Sequence, residues 1–92
     1  MLSCRATIRN KYGIHCRPST EIAREAQVLE ADVTVRRDSG VEAKATNVLQ
    51  LVGLGLAAGD EVTLAVEGPG EEEAAERMKN MFEKEFEYVP GE

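Results

Sequence analysis

Four short segments of the chain alternate apolar and polar residues, and this pattern constrains the fold more than any other feature. The apolar positions are Leu2, Cys4, Ala6 and Ile8, then Val33 and Val35, then Val41, Ala43 and Ala45, and finally Val62, Leu64 and Val66. A period of two is typical of a strand with one buried face. The turn signal Asp38-Ser39-Gly40 connects the second and third segments and predicts a hairpin.

Three other segments show helical spacing. The first helix is predicted from about Cys16 to about Leu29, with apolar residues three and four positions apart. The second opens at Asn47, a good N-cap, and Gln50 is expected to complete a capping box. The buried stripe of the third helix is predicted to be Ala75, Met78, Phe82 and Phe86. The order β-α-β-β-α-β-α predicts an α+β fold, with helices covering one face of a four-stranded antiparallel sheet.

Length and charge exclude several classes of protein. The chain has 92 residues and a formal net charge of −6, so we expect a single domain over residues 1–92, with about 87–92 as a flexible tail. Negative charge argues against a nucleic-acid binder. No apolar run is long enough for membrane insertion, and the N-terminal residues lack a signal peptide. Cys4 and Cys16 are expected to be free thiols in a reducing, cytoplasmic setting.

The single histidine of the chain lies where a loop becomes a helix. Gly13 suits a turn with an unusual backbone angle, and Pro18 suits the first turn of a helix. The N–H groups of that first turn bind anions, and the helix dipole adds to this attraction. His15 and Arg17 therefore predict a place to hold a phosphoryl group.

The stretch Gly13-Ile14-His15-Cys16-Arg17-Pro18-Ser19 resembles the active-site motif of the HPr family. These proteins are the histidine phosphocarriers of the phosphoenolpyruvate-dependent phosphotransferase system. The resemblance extends to Leu54-Gly55-Leu56 and Gly59. It implies an open-faced β-sandwich with strand order 1-4-2-3 and three helices on one face. It also implies that His15 accepts a phosphoryl group on Nδ1 from phospho-enzyme I and passes it to enzyme IIA-type acceptors.

The resemblance assigns roles to the neighbours of His15. Arg17 would pair with the phosphoryl oxygens, or alternatively form a surface ion pair with Glu21. Cys16 departs from the family pattern, but its backbone N–H can serve the phosphate, and its thiol leaves a redox role open. The chain is expected to be a covalent carrier and not a stand-alone enzyme. It is expected to need no cofactor, and one histidine with two cysteines makes no metal site.

The second helix carries more apolar surface than one buried face needs. Val48, Leu49 and Val52 can each be core residues, but together they favour an exposed patch, which is typical of a partner surface. In HPr proteins the corresponding patch docks onto enzyme I and enzyme IIA. The polar stripe of the first helix would complete this footprint; its members are Arg17, Thr20, Arg24 and Gln27.

The resemblance also raises the question of regulation. Low-GC Gram-positive HPr proteins carry a regulatory serine before the second helix, and Asn47 occupies that position here. Asparagine cannot be phosphorylated, although Thr46 keeps a hydroxyl group next door.

Two rival functions stay open. The first is a regulatory phosphorelay without sugar transport, and the second is a small α+β binding module whose His15 is never phosphorylated. In each case a monomer is the expected state.

Overall fold

Seven elements follow one another in the predicted order. The computed structural model describes residues 1–86, so the predicted tail at 87–92 lies outside the described residues. The elements are β1 (Leu2–Thr7), α1 (Cys16–Gln27), β2 (Asp32–Arg37), β3 (Glu42–Lys44), α2 (Val48–Gly53), β4 (Glu61–Glu67) and α3 (Glu71–Glu83).

The strands form one antiparallel sheet with the order β1-β4-β2-β3. This is the predicted order 1-4-2-3, which is thereby confirmed. The inward side chains of the inner strand β4, namely Val62, Leu64 and Val66, are fully buried. They pack in one cluster with side chains from all three helices, including Ile22, Leu51, Met78 and Phe82. The result is the predicted open-faced α+β sandwich.

Two boundaries differ from the sequence prediction. Helix α1 ends at Gln27 and not at Leu29, although Leu29 still packs against the core. Val41 is 53% exposed and lies outside β3. Its carbonyl accepts a hydrogen bond from the Arg37 N–H (2.9 Å), which closes the hairpin turn and directs the Val41 side chain away from the core.

The prediction that Phe86 belongs to α3 is wrong, because the helix ends at Glu83. Phe86 is nevertheless buried, at 8% exposure, because the chain after α3 is extended and returns its ring to the core. Its spacing of four from Phe82 imitates the helical stripe. The sequence pattern therefore identified a core residue but assigned it to the wrong element.

The predicted N-cap of α2 is confirmed, while the second half of its capping box is wrong. The Asn47 Oδ1 atom accepts a hydrogen bond from the Gln50 N–H at 3.0 Å. The Gln50 side chain instead accepts a hydrogen bond from the Lys44 N–H at 2.8 Å. Gln50 thus joins α2 to the end of β3 and does not bond back to Asn47.

Candidate functional site

His15 is the N-cap residue of α1. Its backbone is extended, with φ −94° and ψ −163°, and the helix begins at Cys16. The first helical hydrogen bond joins the Ser19 N–H to the His15 carbonyl at 2.9 Å. The imidazole therefore lies at the positive end of the α1 dipole, as the sequence predicted. An anion held on the ring would lie close to this end of the helix.

One ring nitrogen of His15 is shielded. Nε2 is buried and finds no hydrogen-bond partner within residues 1–86. The ring as a whole is half-buried. The Ser19 hydroxyl, in the first turn of the same helix, is also buried and without a partner in that range. The inner side of the ring is thus closed off from solvent.

A close backbone contact fixes the loop before His15. Gly13 has φ +75°, and a Cβ added there would lie 2.3 Å from the Leu56 carbonyl oxygen. The same carbonyl accepts a hydrogen bond from the Ile14 N–H at 3.0 Å. Only glycine lets the two backbones approach this closely at this angle. The loop is therefore held against the segment that follows α2.

Arg37 holds that following segment in turn. Its guanidinium donates to the Leu54 carbonyl at 3.0 Å and to the Asp60 carboxylate at 3.3 Å. Asp60 also accepts from the Ala57 N–H at 2.9 Å. Sequence analysis missed this support, because no local pattern relates an arginine at a strand end to carbonyls 17 residues away.

Asn10 supports the loop from the other side. It is 0% exposed. Its Nδ2 donates to the Gly13 carbonyl at 2.6 Å, and its Oδ1 accepts from the Phe86 N–H at 2.8 Å. No role for Asn10 was predicted from the sequence. A signal existed, because Asn10 continues the alternation of β1 at an inward position.

Three members of the predicted polar stripe come together on one face of α1. Arg17, Thr20 and Arg24 line a surface cavity of about 230 Å³ together with Glu21. The Thr20 hydroxyl donates to the Cys16 carbonyl at 2.8 Å. Both arginines are exposed. This face of α1 is therefore basic, although the chain as a whole is acidic.

The fourth member of the stripe links α1 to α2. Gln27 Nε2 donates to the Thr46 carbonyl at 3.2 Å, immediately before the cap of α2. The polar stripe and the second helix therefore border one another. This contact lies between the two groups of residues that were predicted to form one footprint.

The three apolar residues of α2 divide by burial. Leu49 is 84% exposed. Val52 is half-buried, and the half-buried Val48 packs against the core. Leu51 and Leu54 are buried. The apolar surface of α2 thus centres on Leu49, with the two valines at its edge.

The remaining candidate groups lie apart from His15 or form no cluster. Burial raises the pKa of the half-buried Cys4 thiol, while Cys16 is exposed at the start of α1. No group of three or more histidine, cysteine or acidic side chains suited to a metal occurs in residues 1–86. Among the described helices, none is both long enough and apolar enough to cross a membrane.

Comparison with known proteins agrees with this geometry. The family described as the PTS HPr component phosphorylation site matches residues 2–84. The phosphocarrier protein NPr of Escherichia coli K12 is 37% identical over 79 residues, which are 86% of this chain and 88% of that protein. The phosphocarrier protein HPr of Mycoplasma pneumoniae is 33% identical over 84 residues, covering 91% and 96%.

The fold agrees as well. The crystal structure of a phosphocarrier protein HPr from Bacillus anthracis matches with a TM-score of 0.83 at 26% identity, covering 89% of this chain and 96% of that one. The catabolite repression protein Crh of Bacillus subtilis matches with a TM-score of 0.70 at 29% identity, covering 89% and 93%. The match over residues 2–84 and the similarity to phosphocarriers over most of their length place this chain in the HPr family of phosphotransferase-system phosphocarriers.

Proposed function

We propose that His15 accepts a phosphoryl group from phospho-enzyme I and passes it to an enzyme IIA-type acceptor. The observation that carries the proposal is the position of the half-buried imidazole at the N-terminus of α1. A nitrogen nucleophile at this position attacks phosphorus close to backbone N–H groups. These groups favour the negative charge of the phosphoryl group that the ring then carries.

The shielding of Nε2 supports Nδ1 as the proposed reacting atom. Since Nε2 is buried, we propose that Nδ1 is the ring nitrogen that reacts. Its lone pair attacks phosphorus and forms an N–P bond, while the bond from phosphorus to the donor breaks and its electron pair leaves with the donor. The helix N-terminus and the Cys16 N–H favour the resulting anion. Arg17 is proposed to contact the phosphoryl oxygens from the next position.

The faces of α1 and α2 around His15 form the proposed docking surface. Leu49, with Val48 and Val52 at its edge, supplies an exposed apolar centre. The polar residues Arg17, Thr20, Arg24 and Gln27 supply a basic and hydrogen-bonding border. A surface of this kind fits a partner with an apolar patch surrounded by acidic residues.

The test is phosphorylation with phosphoenolpyruvate and enzyme I, followed by intact mass spectrometry. The wild type should gain one phosphoryl group that is acid-labile and base-stable. His15→Ala should fold normally, because a half-buried N-cap residue without a side-chain cap contributes little to the core, and it should gain none. Equal labelling of the variant would refute the assignment. An unlabelled wild type would favour a binding module that is never phosphorylated.

A second candidate is a regulatory phosphorelay of the NPr kind, without sugar transport. Its support is the similarity to NPr proteins, of which the one from Escherichia coli K12 is 37% identical. The two candidates share the chemistry and differ in the acceptor. To distinguish the two candidates, the phosphorylated chain is mixed with a sugar-specific enzyme IIA or with a regulatory one. The acceptor that gains the phosphoryl label identifies the function.

A further inference from the structure

We propose that Asn10 and the backbone of Phe86 are positioning elements for His15, so that the segment after α3 takes part in phosphoryl transfer. This inference rests on the proposed function of His15. Its geometric basis is a chain of two hydrogen bonds, from the Phe86 N–H to Asn10 and from Asn10 to the Gly13 carbonyl. Gly13 lies two residues before His15.

The side chain at position 10 must donate in one direction and accept in the other. Asparagine does both: Nδ2 donates to the Gly13 carbonyl at 2.6 Å and Oδ1 accepts from the Phe86 N–H at 2.8 Å. Ionised aspartate has the same shape but no donor, and aliphatic side chains have neither group. At 0% exposure, water cannot easily replace a lost bond. The site therefore requires the amide.

Besides the turn bond from the Gly13 N–H to the Asn10 carbonyl (2.9 Å), the loop has two supports, and each restrains a different atom. On one side the Leu56 carbonyl accepts from the Ile14 N–H at 3.0 Å. On the other side Asn10 holds the carbonyl of Gly13. Without the second support, the peptide between Gly13 and Ile14 is free to turn about the first. The imidazole that follows would then sample orientations in which Nδ1 misses the incoming phosphorus.

This role predicts a change in rate without a change in docking. The proposed docking surface lies on α1 and α2, whereas Asn10 is buried under the loop. Removing its donor should therefore lower kcat and leave KM for the carrier nearly unchanged. Misplacement of a reacting group commonly lowers the rate by about tenfold or more. A purely structural role would lower the melting temperature but leave kcat unchanged at temperatures where the variant is folded.

The experiment compares Asn10→Asp with Asn80→Asp, which makes the same change at an exposed position of α3. Initial rates of phosphorylation by phospho-enzyme I are measured against carrier concentration, with folding checked by circular dichroism at the assay temperature. We expect about tenfold lower kcat for Asn10→Asp, with KM within about twofold, and wild-type values for Asn80→Asp. Wild-type kcat for folded Asn10→Asp would overturn the proposal.

A second pair of variants tests the same hydrogen-bond chain without adding a charge and without changing Asn10. Phe86→Pro and Phe86→Ala both lose the ring, but only proline also loses the N–H. The proline variant should show a several-fold lower kcat than the alanine variant. Equal kcat values would overturn the role of the Phe86 backbone, whether or not Asn10→Asp folds.

Failure of the inference is distinguishable from failure of the proposed function. If wild type is not labelled and behaves like His15→Ala, then the phosphocarrier proposal fails. If wild type is labelled and all four variants match it in kcat, then only the positioning role fails. A partner-free check uses phosphoramidate as the phosphoryl donor. The slower labelling of Asn10→Asp should persist there, because no docking is involved.

Discussion

At the scale of single residues, the site depends on backbone groups more than on side chains. The loop before His15 is fixed by the Leu56 carbonyl, which both accepts from the Ile14 N–H and excludes any Cβ at Gly13. The Nε2 atom of the histidine itself is buried. Backbone groups thus fix the loop directly, and the side chains of Asn10 and Arg37 support it.

We expect Gly13→Ala to be more destabilising than Gly70→Ala. Both glycines have similar positive φ angles, +75° and +70°, but nothing lies within 4 Å of a Cβ at Gly70. In Gly70→Ala the free energy of unfolding should fall only by the cost of the left-handed conformation, about 1–2 kcal/mol. In Gly13→Ala the free energy of unfolding should fall by about 1–3 kcal/mol more, because the added Cβ clashes with the Leu56 carbonyl oxygen. Chemical denaturation measures both, and equal losses would show that the loop moves away at little cost.

At the scale of elements, the alternation and spacing of apolar residues predicted the strands, the helices and their buried positions. The inward positions of β4 and the N-cap of α2 are where the pattern placed them. The misassigned Phe86 shows the limit, because spacing of four cannot reveal that a helix has already ended. Asn10 and Arg37 show another limit. Their partners are set by tertiary packing, and no local pattern identifies them.

Helix α2 allows a test that separates docking from stability. Leu49→Glu should leave the free energy of unfolding within about 0.5 kcal/mol of wild type, because Leu49 is 84% exposed. Transfer from enzyme I should weaken by about 1–2 kcal/mol if Leu49 anchors the partner. Val41→Glu is the matched control, since Val41 is exposed and lies outside both α1 and α2. A fall in stability with unchanged transfer would assign Leu49 to the core.

At the scale of the whole molecule, α3 is fastened to the free edge of the sheet by charged side chains. Glu83 Oε2 accepts from the Thr7 N–H at 2.9 Å, and Lys79 Nζ donates to the Arg5 carbonyl at 3.2 Å. These bonds satisfy backbone groups on the open side of β1, where an unpaired edge would otherwise invite another strand.

The Glu83 bond makes part of the stability depend on pH. The Thr7 N–H, and then the neighbouring Lys79 and Arg9, hold the pKa of Glu83 below its usual value. Its contribution is therefore fully present above the unfolded pKa of about 4.3, and is lost as pH falls through the lower folded pKa. Glu83→Gln should be about 1–2 kcal/mol less stable at pH 7.

The pH dependence separates this bond from a general charge effect. The difference between Glu83→Gln and wild type should shrink as pH falls below about 4.3, because both side chains are then neutral. Glu76→Gln, at an exposed position of α3, should show little difference at any pH. Denaturation curves between neutral and acid pH measure both. A constant difference for Glu83→Gln across that range would contradict the assigned cause.

The pairing of β1 with β4 also has a consequence in time. Leu2 pairs with Val66 and Thr7 with Glu61. The first strand, β1, therefore cannot pair until β4 has been synthesised. Because synthesis proceeds from the N-terminus, His15 leaves the ribosome long before β4 and Phe86 exist. Such distant contacts close long loops and form slowly. A nascent chain therefore displays its histidine without the loop that positions it, and the finished geometry arises only when nearly the whole chain has emerged.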